Sequence, residues 1–147
     1  MVLVNKSFYM KQFKKIITHP LLLIMSFCAI VISGEHWGGF YLMYIAMGLF
    51  IFAFHSVVGS VGILCLLISH YWKAKSFLLN LLGIICMIVS LFMFFLQPNG
   101  SYNYNSFNQF LPLTSLIIFG ILAIIFIISN CTELFSMGKS NKRTIPN

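Results

Sequence analysis

Charge is what this sequence has least of. Only two acidic residues, Glu35 and Glu133, stand against nine lysines and arginines in 147 residues, and charged side chains make up 7% of the chain. Ordinary soluble domains carry about 25%. With 60% hydrophobic residues, that scarcity excludes a soluble fold. It leaves no room for a separate nucleotide-binding or catalytic head.

Paired thiols are missing too. Cys28, Cys65, Cys86 and Cys131 lie on different apolar segments, form no C-x-x-C pair and have no histidine nearby at metal-ligand spacing. Membrane thiol-oxidoreductase chemistry and a cysteine metal site are thereby disfavoured, and the cysteines read as small apolar filler. No serine is placed with a histidine and a carboxylate for nucleophilic work, and neither a glycine-rich phosphate loop nor an H-E-x-x-H run is present. The expectation is a protein that is not an enzyme and needs no cofactor.

What is present is apolar sequence in lengths that suit a bilayer. The pattern predicts an all-α integral membrane protein, residues 1–147 forming a single membrane domain of four transmembrane helices in two hairpins. The spans are expected near 16–34, 40–70, 77–96 and 111–130. They follow a basic amphipathic lead over 1–15 and precede a basic tail over 131–147. Pro20 suits the first turn of a helix, Ser76 an N-cap, and Pro98-Asn99-Gly100 a turn. The basic lead followed by an apolar stretch also resembles a signal peptide, but retention of this segment is the reading adopted.

The second span is the one around which the others are read. From Phe40 to His70 a single helix would be roughly 46 Å long at about 1.5 Å per residue, against a hydrocarbon core of about 30 Å. It must tilt, bend or protrude. At helical periodicity Tyr41, Tyr44, Gly48, His55, Gly59 and Gly62 share one side, which is expected to pack against protein because glycine permits close approach and imidazole needs a partner in lipid. Gly83, Cys86, Ser90 and Gln97 make a second stripe on the third span, expected to meet the first.

Basic residues fall only in the lead (Lys6, Lys11, Lys14, Lys15), the connection after the second span (Lys73, Lys75) and the tail (Lys139, Lys142, Arg143). The positive-inside rule then puts both termini in the cytoplasm, with the protein in a bacterial inner membrane. This clustering is topogenic and does not indicate nucleic acid.

Candidate chemistry reduces to His55 within the second span and the adjacent Glu35 and His36 in the Gly34–Gly39 connection. An imidazole at membrane depth suggests a proton or ion pathway, whereas two consecutive ligands make at most half a metal site. The leading expectation is a noncatalytic accessory or assembly subunit of a larger membrane complex, contacting the lipid bilayer and other membrane subunits or copies of itself. The alternatives are a small oligomeric proton- or cation-coupled transporter or channel using His55 and, more weakly, a haem or quinone binder in electron transport. Haem ordinarily takes two axial ligands at similar depth, and His19, His36 and His70 all read as lying toward the membrane surfaces.

Overall fold

The computed structural model describes residues 16–33, 38–71, 77–96 and 104–141, with backbone alone for 104–105 and 133–141. The lead, the Glu35–His36 pair, Ser76 and the Lys73–Lys75 cluster lie outside those residues. The fold is mostly helical: α1 (Pro20–Cys28), a two-stranded hairpin of β1 (Val31–Ile32) and β2 (Gly39–Phe40), α2 (Tyr41–Phe50), α3 (Phe54–Tyr71), α4 (Phe77–Phe95), a 3-10 turn (Tyr104–Phe107) and α5 (Phe110–Asn141). Among the described residues three stretches are long and apolar enough to cross a membrane, namely α3, α4 and the Phe110–Thr132 part of α5, and α2 is a shorter apolar helix.

The helix expected over 40–70 is two helices. α2 stops at Phe50 and the chain reverses through Ile51, Phe52 and Ala53, with Phe52 in the left-handed region at φ 52°. The Phe52 amide donates to the Leu49 carbonyl (3.2 Å) and the Ala53 amide to the Gly48 carbonyl (2.7 Å). This is the paired closure that ends many helices, with phenylalanine where glycine is usual. Folding back resolves the excess length: the 18 residues of α3 span about 27 Å at 1.5 Å per residue.

The span expected over 16–34 also differs. α1 has nine residues, about 13 Å and too short to cross alone. It starts at Pro20 with His19 as N-cap, whose Nδ1 accepts from the Leu21 amide at 3.3 Å. After Cys28 the chain turns into β1, which pairs antiparallel with β2 in the register Val31 with Phe40 and Ile32 with Gly39. Distant serines hold this segment away from helix: the Val31 amide donates to Ser115 Oγ (3.0 Å), and the Ser33 amide and carbonyl both bond to Ser106 Oγ (3.2 and 2.8 Å). β1 stays packed against α5, with Ile32 wholly buried, and the chain returns beside its own start, where the Tyr41 amide donates to the Ile30 carbonyl at 2.7 Å.

α1 and α2 both run antiparallel to α3 and lie in series along it. His19 at the start of α1 meets His70 at the end of α3, ring centroids 4.7 Å apart, while Gly48 near the end of α2 lies against His55 and Ser56 at the start of α3. Their nine and ten residues give about 28 Å of helix at 1.5 Å per residue, matching α3. α4 packs closely along α3 and touches α2 as well, through Tyr41 and Tyr44. α5 closes the bundle through Phe27 against Phe119 (5.4 Å) and through Asn80 Nδ2 donating to Asn130 Oδ1 (2.7 Å). The core runs between these layers and includes Leu23, Phe27, Ile30, Tyr41, Leu66, Ile84, Met87, Phe94 and Phe119.

Candidate functional site

Where α2, α3 and α4 meet, the bundle holds a group of buried polar side chains. Apolar helices can bring such groups together only where their backbones approach closely, and glycine sets those points. A Cβ on Gly62 would lie 2.8 Å from the Gly83 carbonyl and 3.1 Å from the Met87 amide, and one on Gly83 would lie 3.1 Å from the Gly62 carbonyl. The two helices touch backbone to backbone there. One turn further along, a Cβ on Gly59 would meet Ser90 Oγ at 2.6 Å, and one on Gly48 would land on Ser56 Oγ.

Into that space come Tyr41 from α2, His55 and Ser56 from α3 and Ser90 from α4, all buried. The Tyr41 hydroxyl and Ser90 Oγ share a hydrogen bond of 2.8 Å, and Ser90 Oγ lies 2.7 Å from the His55 carbonyl, to which it donates. The Tyr41 hydroxyl is therefore the donor to Ser90. Ser56 Oγ donates to the Tyr44 carbonyl at 3.4 Å. Phe94 backs the group, with Tyr41, Tyr44 and His55 each set edge-on or nearly so at 5.2 to 5.3 Å. Among the described residues, every buried side-chain nitrogen and oxygen has a hydrogen-bond partner.

Of the residues singled out from the sequence, Tyr41, Gly48, His55, Gly59 and Gly62 are buried together and Tyr44 is half-buried beside them. Glu35 and His36 fall outside the described residues. Ser90 and Gly83 meet this face from α4, Cys86 is half-buried, and Gln97 lies outside the described residues. Sequence reasoning passed over Ser56 and the pair Ser106 and Ser115. Their signal was a hydroxyl amid apolar sequence, legible only once the facing segment is known.

The arrangement limits the chemistry available. His55 and His70 sit at opposite ends of α3, fifteen residues apart or about 22 Å, and His19 is beside His70. No two described histidines of one chain therefore flank a site at the depth of His55. Among the described residues no group of three or more histidine, cysteine or acidic side chains could hold a metal ion, and the four cysteines are free thiols. No family model, curated protein or solved structure matches the chain.

Proposed function

We propose that this protein is a noncatalytic subunit that helps assemble or stabilise a larger complex in a bacterial inner membrane. The observation that carries the reading is the polar chain from Tyr41 through Ser90 to the His55 carbonyl. Its hydroxyl hydrogens are spent on ties between α2, α3 and α4, so the polar interior serves as scaffold. What the molecule offers outward is apolar helix surface, including Ile117, Ile121, Ile124 and Ile128 along α5, the kind of face that lipid or another membrane subunit covers.

In this reading α1 and α2 in series make the first of four crossings, and α3, α4 and α5 make the others. The short halves add to the length of α3, and every lysine and arginine then falls on one side, which the positive-inside rule makes cytoplasmic along with both termini. Reporter fusions at Gly100 and Asn147 test the topology, with only Asn147 expected to report cytoplasm.

Copurification from native membranes followed by mass spectrometry tests the role. A stoichiometric membrane partner is expected, and a protein that is recovered alone, while retaining its cellular function alone, refutes it. The reading in which His55 conducts protons draws on its depth. It requires flux in proteoliposomes that changes over about pH 5.5 to 7.5 and is lost in His55→Ala.

A further inference from the structure

The reversal from Leu49 to Phe54 has the sequence Leu-Phe-Ile-Phe-Ala-Phe. Turns that lie in water are usually built from Gly, Asn, Asp, Ser or Pro, which supply the backbone conformations and tolerate hydration. None is present here. Phe50, Ile51, Phe52 and Phe54 are instead 87, 78, 85 and 65% exposed, so no part of the described chain covers them.

Three further observations bear on what surrounds this tip. Phe52 holds a left-handed conformation that glycine would adopt without penalty, and at 85% exposure no packed neighbour accounts for a phenyl ring there. The Phe52 and Ala53 amides are bonded to carbonyls of α2, and the Ser56 and Val57 amides both donate to the Ala53 carbonyl at 3.0 and 3.2 Å. These bonds satisfy the Phe52 and Ala53 amides and the Ala53 carbonyl within the turn, which lowers the cost of placing it in a medium without hydrogen-bonding partners. Lastly, exposed Met43 and Met47 lead along α2 to Phe50 at helical spacing, so the tip continues an exposed apolar side of the helix.

We infer that the 49–54 reversal is immersed in lipid acyl chains and anchors the α2–α3 hairpin there. The α2–α3 hairpin thus spans to the far edge of the hydrocarbon layer and turns there without projecting a loop into water. This rests on membrane integration and is independent of any partner subunit.

Tryptophan fluorescence of the full chain tests it. In a Trp37→Phe, Trp72→Phe background reconstituted in phosphatidylcholine vesicles, Phe52→Trp should emit to the blue and lose most of its intensity in vesicles of dibrominated phosphatidylcholine, with little quenching by iodide. Red-shifted emission quenched by iodide would place the tip in water, and blue emission quenched by neither would place it under protein, so either result overturns the inference. Phe50→Trp, at the helix end, gives the same reading if position 52 does not tolerate the larger ring. Ile121→Trp on α5 is the control: quenched by bromine while the tip is not, it overturns the tip alone, and unquenched it overturns membrane integration as well.

Discussion

Replacing Ser90 with alanine removes the acceptor of the Tyr41 hydroxyl and the donor to the His55 carbonyl in one step. A buried hydroxyl left without a partner costs about 1–3 kcal/mol, and Ser90→Ala should lower unfolding stability in detergent by that amount. Adding Tyr41→Phe should restore part of the loss, because the orphaned hydroxyl goes with it. Phe52→Gly is expected to act in the opposite direction. It relieves a left-handed residue of roughly 1–2 kcal/mol of strain, and a raised melting temperature together with weaker bromine quenching at Phe50→Trp would separate conformational ease from lipid contact. The first of these sites was half legible from sequence, since Tyr41, His55 and Ser90 all lie on small or polar helix faces. The second was not, because nothing in a run of aromatic and aliphatic residues announces a reversal.

At the scale of elements, the glycines fall into two kinds. Gly62 faces the backbone of α4, which cannot move aside, so Gly62→Ala should cost about 1–3 kcal/mol by overpacking and shift α3 against α4. Gly120 on α5 has nothing within 4 Å of a Cβ, and Gly120→Ala should gain about 0.8–1 kcal/mol from helix propensity. Unfolding titrations of the two variants check the contrast. Periodicity made the α3–α4 contact readable, because glycine and serine stand out at intervals of three and four in an otherwise apolar background. It could not foresee the β hairpin, since the hydroxyl that captures the Val31 amide belongs to Ser115, 84 positions along the chain. Nor could it divide 40–70, although a helix longer than the bilayer is thick was itself a sign that the segment had to do something else.

Across the whole molecule, Phe27 is the ring through which α1 ties α2 to α5. It is wholly buried, edge-on to Tyr41 at 5.2 Å and tilted against Phe119 at 5.4 Å. Phe27→Ala should cost roughly 3 kcal/mol, the low end for such truncations in cores, because lipid removes most of the aqueous transfer penalty and leaves the cavity. Resistance to unfolding in mixed micelles is the measurement.

α5 raises a different matter. Its stretch free of charged residues ends at Thr132, but the helix runs on past Glu133 and Lys139 to Asn141, about 13 Å more at 1.5 Å per residue. The polar layer on each face of a bilayer is about 5–7 Å deep, so a span leaving the hydrocarbon at Thr132 would carry the end of this helix past the headgroups.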